Sequence, residues 1–274
     1  MSDSKKYLFN SNQIYDNIQE YTLLIRNFIN SKLEINLISV VLPTYNEKEN
    51  IAILISDIFD VYKKNNIEGN IIVVDDNSPD GTREIIEDII NTRNDRNVIL
   101  INRAQKLGLG SAYIEGFKKA ISLGSEYIFE MDADLSHCPQ DIPKFISATQ
   151  INDLVLGSRY INGGKIENWN CLRKIISKGG AIYAKTILDL PINDLTSGYK
   201  CFKSEVLKSI DLSKIKSDGY SFQIELTYHA FKKGYNIVEI PIIFKDRKNG
   251  SSKFSKSIFW EAIMMVWRLK LKYR

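Results

Sequence analysis

Residues 127–137 read YIFEMDADLSH, an apolar run followed at once by two carboxylates that flank one small residue. An apolar run of this length predicts a strand that is buried on both faces, over Tyr127–Met131. Asp132 and Asp134 then stand at the carboxyl end of that strand, where ligands bind in parallel α/β sheets. Paired carboxylates there suit a hard divalent cation, Mg²⁺ or Mn²⁺, that in turn holds a diphosphate. The alternative is a solvated turn, because D-x-D triplets occur on many surfaces.

Short apolar runs alternate with amphipathic segments on both sides of this stretch. The apolar runs predict further strands at Leu37–Leu42, Asn70–Val74, Val98–Ile101, Asp153–Leu156 and Ile237–Ile240. Helical spacing predicts helices at Glu49–Lys64, Thr82–Asn91, Gly110–Leu123, Leu172–Leu188 and Phe222–Lys232. This alternation indicates an α/β fold, with a mostly parallel central sheet and helices on both faces.

Two polar clusters follow other strands of this pattern. Thr44–Glu47 comes after the first predicted strand, and Asp75–Ser78 comes after the second. Parallel strands end at one edge of a sheet, so both clusters are expected to converge with the paired carboxylates. Asp75 or Asp76 can accept hydrogen bonds from a nucleobase or a ribose. Capping of the helix that begins at Thr82 is the competing role, and Asp80 or Ser78 is placed to perform it.

The segment Gly108-Leu109-Gly110 resembles the start of a G-x-G-x-x-G dinucleotide motif. Tyr113 occupies the position of the third glycine, and the segment follows the third strand, not the first. A dehydrogenase-type cofactor site is therefore disfavoured. We expect these glycines to make a tight turn from strand to helix.

The C-terminal part of the chain is strongly basic. Residues 245–274 contain nine basic residues against two acidic ones, in a protein of formal net charge +4. This asymmetry favours an anionic partner, while a solvated basic tail is the alternative. No nucleic-acid motif accompanies the charge, so nucleic acid is not expected as a partner.

Both ends of the chain carry amphipathic patterns. Residues 257–274 mix Trp and aliphatic residues with Arg and Lys, which indicates a helix that lies on anionic lipid or one that docks on the body of the protein. Ile14, Ile18, Tyr21, Ile25 and Phe28 recur at helical spacing and predict an N-terminal helix. No apolar stretch is long enough to span a bilayer. The three cysteines lack zinc-site spacing and indicate reduced thiols in a cytosolic protein.

As a set, these motifs resemble the dolichyl-phosphate mannosyltransferases, which are inverting glycosyltransferases of family 2 with the nucleotide-binding GT-A fold. The resemblance covers about residues 37–257 and rests on these segments: 41–47 (VLPTYNE), 74–82 (VDDNSPDGT), 108–113 (GLGSAY), 131–137 (MDADLSH), 157–160 (GSRY), 196–200 (TSGYK), 219–225 (GYSFQIE) and 244–247 (FKDR). It implies three parts: an N-terminal helical extension (1–34), a GT-A catalytic domain (35–250) and a basic amphipathic C-terminal helix (251–274).

The resemblance also implies roles for matching residues. Contacts with the donor are implied for Pro43, Tyr45, Glu47, Val74, Asp76, Asp132, Ala133, Asp134, Arg159, Arg247 and Lys253. Metal ligation is implied for Asp132 and Asp134, and Ser136 stands where some relatives place a further ligand of another type. Contacts with the acceptor phosphate are implied for Arg159, Arg173, Ser177 and Arg247. Asp134, Arg159 and Arg173 are the expected catalytic residues.

The activity that the resemblance implies is transfer of mannose from GDP-mannose to a dolichyl or polyprenyl phosphate, with inversion and with Mg²⁺ or Mn²⁺. A related transferase that uses UDP-glucose or another UDP-sugar is the alternative. The acceptor is already an anion, so no general base is needed, and His137 and His229 are expected to be structural. The enzyme is expected at the cytoplasmic face of a membrane as a peripheral protein. Some family members continue into transmembrane helices, and others use a separate membrane subunit as an anchor.

Overall fold

The structure, a computed structural model, describes residues 37–93, 97–246 and 256–272, without the side chains of Arg93 and of residues 256–262. The helix predicted within residues 1–34 lies outside the described residues, and so do Arg247 and Lys253. Every other residue to which the resemblance gives a role lies inside these ranges.

Each predicted strand and helix within the described ranges is present, and several shorter elements join them. The strands are β1 (Ile38–Thr44), β2 (Gly69–Asp75), β3 (Val98–Asn102), β4 (Tyr127–Glu130), β5 (Leu154–Ser158), β6 (Lys165–Glu167), β7 (Lys200–Lys203), β8 (Ile237–Pro241) and β9 (Ile243–Lys245). The helices are α1 (Ile51–Asn65), α2 (Thr82–Arg93), α3 (Leu109–Ser122), α4 (Ile142–Thr149), α5 (Cys171–Leu188), α6 (Ser204–Ser209), α7 (Gly219–Lys232) and α8 (Lys256–Lys272).

Seven strands form the central sheet, in the order β3-β2-β1-β4-β7-β5-β8. Strand β1 pairs in parallel with β2 and β4, β2 pairs in parallel with β3, and β5 with β8. Strand β7 is antiparallel to both of its neighbours, β4 and β5. The prediction of a mostly parallel sheet is confirmed, although β7 itself was not predicted. Strands β6 and β9 form a separate parallel pair.

Strand β7 has the sequence Lys-Cys-Phe-Lys, and charged residues at both ends do not indicate a buried strand. Lys200 is nevertheless fully buried, because it lies opposite Glu130 of β4 in the ladder. The Nζ atom of Lys200 is 3.4 Å from Oε2 of Glu130. It also donates to the carbonyl oxygen of Gln223 at 3.0 Å and to the side-chain oxygen of that residue. A long-range ion pair therefore allows a lysine in the middle of the sheet.

Two apolar cores cover the two faces of the sheet. Alternation along β1 directs Val41 to one face and Leu42 to the other. Helices α1, α2 and α4 pack on the Leu42 face, and α3, α5, α6, α7 and α8 pack on the Val41 face. Helix α3 lies especially close to β1: a Cβ atom on Gly116 would be 2.2 Å from Cγ1 of Val41. Only glycine allows this approach, which sets the position of the α3 N-terminus beside the sheet edge.

Some elements differ from the prediction in extent or were not predicted. Helix α4 follows Pro139 and contains Pro143 in its first turn. A proline there is compatible with a helix, because the first N–H groups have no intrahelical partner. Helix α7 begins at Gly219 rather than Phe222. Across the part of the chain that the structure describes, no helix has the length and apolar character to cross a membrane.

Candidate active site

Asp132 and Asp134 follow the carboxyl end of β4, as the sequence predicts. Asp134 is 4% exposed, and its Oδ1 accepts the backbone N–H of Ser136 at 3.0 Å. Asp132 is half-buried, and its Oδ1 accepts the hydroxyl proton of Tyr113 at 3.1 Å. Burial raises the pKa of Tyr113, and the negative charge of Asp132 raises it further, so the hydroxyl stays a donor. These contacts hold both carboxylates at the edge of the sheet.

His137 supports Asp132 through the main chain. The backbone N–H of Asp132 donates to Nδ1 of His137 at 3.2 Å. The imidazole ring is 3% exposed and stacks on Tyr199, with ring centroids 5.0 Å apart. Burial lowers the pKa of His137, which favours the neutral ring that an accepting Nδ1 requires. A buried, stacked histidine of this kind fits the predicted structural role.

The residues around this pair fit a hard divalent cation. The Oγ atom of Ser136 is buried without a hydrogen-bond partner. Gly198 leaves room beside Asp132, because a Cβ atom there would lie 3.2 Å from Oδ2. Among the described residues, no group of three or more His, Cys, Asp and Glu side chains is placed to hold a metal. An ion at Asp132 and Asp134 would take its other ligands from hydroxyl, phosphate or water oxygens, which suits Mg²⁺ and Mn²⁺.

The loop after β1 and the loop after β2 are tied together at the same edge of the sheet. Three backbone N–H groups of the first loop donate to side chains that follow β2: Asn46 to Ser78 Oγ (3.0 Å), Glu47 to Thr82 Oγ1 (2.9 Å) and Lys48 to Asp80 Oδ2 (3.2 Å). Asp80 Oδ1 also accepts the N–H of Thr82 at 3.0 Å, so the predicted capping role of Asp80 is confirmed. The convergence predicted for these loops is confirmed as well.

Asp75 and Asp76 both have protein partners. Asp75 is fully buried, and its Oδ1 accepts the hydroxyl proton of Thr44 at 2.8 Å, so it joins the two loops. Asp76 Oδ1 accepts from Nη1 of Arg103 at 2.7 Å, and its Oδ2 accepts the N–H of Gly108 at 2.9 Å. Asp76 Oδ2 also accepts the N–H of Leu107 at 3.2 Å. Oδ1 has a second lone pair, so the nucleotide contact expected of Asp76 stays a prediction.

The remaining residues with predicted donor contacts lie close to these loops. Pro43 and Val74 are buried and stand opposite each other in the β1–β2 ladder. Tyr45 and Glu47 are half-buried, and Nζ of Lys106 lies 3.5 Å from the centroid of the Tyr45 ring. Ala133 is buried between the two metal-site aspartates. The structure thus brings the described donor residues to one edge, and their contacts with a nucleotide stay predictions.

Arg159 is held in a buried ion pair. Its Nε and Nη2 atoms donate to the two carboxylate oxygens of Asp194, each at 2.7 Å, and Nη2 also donates to Thr196 Oγ1 at 2.8 Å. The side chains of the pair are 4% and 0% exposed. Burial alone lowers the pKa of Arg159, but the Asp194 carboxylate outweighs it and raises that pKa. The phosphate contact expected of Arg159 stays a prediction, and the structure adds a clear role in holding Asp194.

Arg173 and Ser177 lie one turn apart on α5, as predicted, and share one side of the helix. Nη1 of Arg173 donates to Oδ1 of Asp246 at 3.0 Å, and the guanidinium lies 4.0 Å from the centroid of the Trp169 ring. Ser177 Oγ accepts the hydroxyl proton of Tyr160 at 2.7 Å. The Arg173–Asp246 pair is half-exposed, at 31% and 29%. This arrangement is open to an incoming phosphate, and its role in binding one stays a prediction.

Several partners of the site residues were not identified from the sequence. Tyr113 was noted only as the residue that breaks the glycine motif, yet its hydroxyl contacts Asp132. Arg103 pairs with Asp76, and the one signal that could have found it is its place immediately after β3. Asp246 was quoted only within the 244–247 motif, and Asp194 lies two residues before the 196–200 motif and was given no role. Residue type alone did not indicate their arginine partners.

Comparison with known proteins identifies relatives along most of the chain. The sequence model of "Glycosyl transferase family 2" matches residues 39–211. An undecaprenyl-phosphate mannosyltransferase of Micrococcus luteus is 40% identical over 234 residues, which cover 85% of this chain and 94% of that protein. A polyprenol monophosphomannose synthase of Mycolicibacterium smegmatis is 40% identical over 228 residues, which cover 83% of this chain and 84% of that protein.

Solved structures agree in fold at low sequence identity. Glucosyl-3-phosphoglycerate synthase from Mycobacterium tuberculosis, in complex with Mn²⁺ and UDP-glucose, matches with a TM-score of 0.63 at 19% identity, over 85% of this chain and 79% of that one. Mannosyl-3-phosphoglycerate synthase from Rubrobacter xylanophilus matches with a TM-score of 0.60 at 15% identity, over 86% and 73%. These likenesses concern the fold alone, and with the family match they confirm the predicted GT-A fold.

Proposed function

The chain belongs to glycosyl transferase family 2 and is a glycosyltransferase, and on that premise we propose that it transfers mannose from GDP-mannose to a polyprenyl phosphate. The observation that supports the proposal most is the presence of both carboxylates and cationic side chains in the candidate site. A pair of carboxylates, Asp132 and Asp134, follows β4, and cationic side chains stand after β5 and on α5. The carboxylate pair suits a metal-bound diphosphate, and the cationic side chains suit a phosphate acceptor.

The two relatives at 40% identity support the substrates. One is named for undecaprenyl phosphate and mannosyl transfer, and the other for polyprenol monophosphomannose synthesis. GDP-mannose is the donor implied by the resemblance to the dolichyl-phosphate mannosyltransferases. The polar residues near the base pocket do not distinguish guanine from uracil, so the donor is the part of the proposal that most needs a direct test.

In the proposed reaction, Asp132 and Asp134 would hold Mg²⁺ or Mn²⁺, and the bound ion would supply positive charge to stabilise the departing diphosphate. Tyr113 and His137 keep Asp132 in place through its carboxylate and its main-chain N–H. Arg173 and Ser177 bind and orient the acceptor phosphate. Because that phosphate is already an anion, no residue of the chain has to remove a proton from it. Positioning and charge stabilisation therefore account for catalysis.

Stereochemistry follows from the direction of attack in this proposal. The acceptor phosphate is presented to the anomeric carbon on the side opposite the diphosphate, so an α-linked donor gives a β-linked mannosyl phosphate. Arg159 is assigned to the alignment of donor or acceptor phosphates. Arg247 and Lys253 keep the phosphate contacts that the resemblance implies.

The proposal places the enzyme at the cytoplasmic face of a membrane, because its acceptor is a lipid. The three-part organisation is retained: an extension (1–34), the catalytic domain (35–250) and a basic C-terminal helix (251–274). Residues 256–272 form helix α8, which is consistent with the last part. Anchoring through a small membrane subunit is one of the arrangements that the family offers.

The test measures sugar transfer to a short-chain polyprenyl phosphate by the purified chain, with GDP-mannose or UDP-glucose as donor and with Mn²⁺ or EDTA. We expect transfer from GDP-mannose that EDTA abolishes. Asp134→Ala is expected to lower the rate at least about 100-fold, which corresponds to several kcal/mol of lost electrostatic stabilisation. The matched control, Asp60→Ala, removes an exposed carboxylate on α1 and is expected to act like the wild type.

Three results would contradict parts of this proposal. Transfer from UDP-glucose but not from GDP-mannose would replace the donor. An unchanged rate in Asp134→Ala would remove the metal assignment. Transfer to a sugar hydroxyl but not to a prenyl phosphate would remove the acceptor class.

A further inference from the structure

Glu239 on β8 is a half-buried carboxylate to which the resemblance gives no role. Its Oε1 accepts the backbone N–H of Asp194 at 2.8 Å. Its Oε2 accepts the backbone N–H and the side-chain amide of Asn193, both at 2.8 Å. All three donors belong to two consecutive residues, and none of them is a cation. In these contacts the carboxylate therefore holds a stretch of main chain in place and does not neutralise a charge.

The two residues that Glu239 holds lie in the loop 189–199, which connects α5 to β7. The loop contains no helix or strand, so contacts with neighbouring elements fix its conformation. Nζ of Lys185 on α5 donates to Oδ1 of Asn193 at 2.6 Å. Asn193 is thus held by a strand on one side and by a helix on the other. The backbone next to Asn193, at Asp194, has little freedom to move.

Asp194 passes this restraint on to Arg159. Oδ2 of Asp194 accepts the backbone N–H of Arg159 at 2.9 Å and its Nε–H at 2.7 Å. Oδ1 accepts from Nη2 at 2.7 Å, and Thr196 of the same loop accepts from Nη2 at 2.8 Å. The guanidinium is planar, so contacts at Nε and Nη2 fix the orientation of the whole group. The position of Asp194 therefore determines the direction of the remaining nitrogen, Nη1.

Nη1 is the part of the guanidinium that this arrangement leaves available. Within the part of the chain that the structure describes, no residue accepts a hydrogen bond from Nη1 of Arg159. Arg159 directly follows β5, at the edge of the sheet where ligands bind. Strand β8 lies beside β5, with Glu239 opposite Leu156 in the ladder. Two N–H donors on one nitrogen at this edge suit a phosphate oxygen.

We propose that Glu239 is a positioning residue for the reaction: by fixing Asn193 and Asp194, it directs Nη1 of Arg159 toward the phosphate that this arginine binds. The inference rests on the proposed function for the phosphate contact of Arg159. It deepens that function by adding a residue that itself touches no substrate. A misplacement of about 1 Å can lower a rate about 100-fold, so a residue that acts through two others can still affect catalysis.

The first experiment measures kcat/KM for sugar transfer to a short-chain polyprenyl phosphate, well below the melting temperature of every variant. Glu239→Gln keeps the size of the side chain but replaces one acceptor oxygen with a donor, which then faces an N–H of the loop. We expect kcat/KM to fall about tenfold, because a displaced loop misdirects Arg159. Asn193→Ala removes only the side-chain contacts of the loop, so we expect a smaller loss, about threefold.

The matched control is Asp153→Asn, at the other end of the same pair of strands. Oδ2 of Asp153 accepts the backbone N–H of Asn236 at 2.9 Å, and Oδ1 accepts from Nζ of Lys203 at 3.1 Å. Asp153 precedes β5 and Asn236 precedes β8, so this contact lies at the edge away from the candidate site. We expect the melting temperature to fall in both variants and kcat/KM to fall in Glu239→Gln alone.

A double-mutant cycle tests whether Glu239 acts through Arg159. Arg159→Lys keeps the positive charge but loses the planar group that Asp194 orients. If Glu239 acts through this guanidinium, adding Glu239→Gln to Arg159→Lys is expected to lower kcat/KM by less than about twofold, and not by a further tenfold.

Nuclear magnetic resonance provides a measurement that needs no sugar transfer. In isotope-labelled protein, the side-chain signals of Arg159 are identified by their loss in Arg159→Lys. We expect the Nη signals to shift when inorganic pyrophosphate and Mg²⁺ are added to the wild type. In Glu239→Gln, the shift at the same pyrophosphate concentration is expected to be much smaller, and in Asp153→Asn it is expected to match the wild type.

Four results would overturn the positioning role. They are a wild-type kcat/KM in folded Glu239→Gln or, where that variant does not fold, in Asn193→Ala; an equal loss of kcat/KM in Asp153→Asn; additive losses in the double mutant; or an equal response of Arg159 to pyrophosphate in the wild type and in the Glu239 variant. A chain in which Glu239→Gln weakens that response, but which transfers no sugar to any prenyl phosphate, would refute the proposed function and leave the role of Glu239 intact.

Discussion

Arg159 and Arg173 both approach the ring of Trp169, at 5.8 and 4.0 Å from its centroid, yet the two regions around them are built differently. In the Arg159 region, formed with Asp194 and Thr196, a two-pronged ion pair is buried at 4% and 0% exposure. In the Arg173 region, formed with Trp169, Ser177 and Asp246, a single contact joins side chains that are 31% and 29% exposed. An exposed pair can exchange its carboxylate for a phosphate at little cost, whereas a buried pair cannot. The contrast predicts that Arg173 exchanges its carboxylate partner for an incoming anion more readily than Arg159 does, and the phosphate contacts of both arginines stay predictions.

The largest expected effect tests the buried pair. Asp194→Ala leaves the Arg159 guanidinium buried without its partner, so we expect the free energy of unfolding to fall by about 3–5 kcal/mol. Asp246→Ala removes the partner of an exposed arginine and is expected to cost less than about 1 kcal/mol. Urea unfolding followed by tryptophan fluorescence measures both. Equal losses in the two variants would remove the distinction between the regions.

The next effect concerns acceptor binding. Arg173→Ala removes a charged hydrogen-bond donor from the proposed phosphate site, which is worth about 1.5–3 kcal/mol, so the KM for prenyl phosphate is expected to rise about 10- to 150-fold. The KM for the nucleotide sugar is expected to stay unchanged, and so is the melting temperature. Steady-state kinetics with each substrate varied in turn provide the measurement. An equal rise in both KM values would mean that Arg173 acts on the whole site and not on the acceptor.

The sequence predicted the first half of the fold better than the second. The first four strands are apolar runs with parallel neighbours: β1, β2, β3 and β4. Such runs predict strands from the sequence alone, without knowledge of the neighbouring strand. Strand β7 depends on Lys200, whose burial is explained only by Glu130 of the neighbouring strand. Burial raises the pKa of Glu130 to about 7, against the opposing effect of Lys200. A local pattern does not contain a long-range pair of this kind.

The same limit applies to the two arginines. The motifs gave both Arg159 and Arg173 a contact with the acceptor phosphate, and they gave Arg159 a contact with the donor as well. Their difference arises from Asp194 and Asp246, which lie 35 and 73 residues away in sequence. Burial of one pair and exposure of the other is set by the fold around β5 and α5. The sequence identified the arginines, and the structure separates their surroundings.

A smaller effect distinguishes charge from shape at Arg173. Arg173→Lys keeps the positive charge but loses the planar group that lies on the Trp169 ring. Lysine also cannot offer two parallel N–H donors to a phosphate. We expect a loss of about 1 kcal/mol, which is about a fivefold rise in the KM for prenyl phosphate. If the lysine variant is as impaired as the alanine variant, the geometry of the guanidinium alone accounts for phosphate binding. If the lysine variant binds like the wild type, the positive charge alone accounts for it.

The smallest expected effect is a fall in the KM for prenyl phosphate. It tests most directly whether the phosphate replaces the Asp246 carboxylate as the partner of Arg173. Asp246 Oδ1 accepts from both Arg173 and the indole N–H of Trp169, so in the free enzyme it holds the guanidinium that the phosphate would later need. Asp246→Asn keeps the size of the side chain and an oxygen acceptor, but it removes the charge that competes with the phosphate. An exposed ion pair contributes about 0.2–1 kcal/mol, so the KM for prenyl phosphate is expected to fall by up to about fivefold at low salt. Screening at high salt should shrink this gain. If the KM instead rises in Asp246→Asn, the carboxylate orients Arg173 for binding and does not compete with the phosphate.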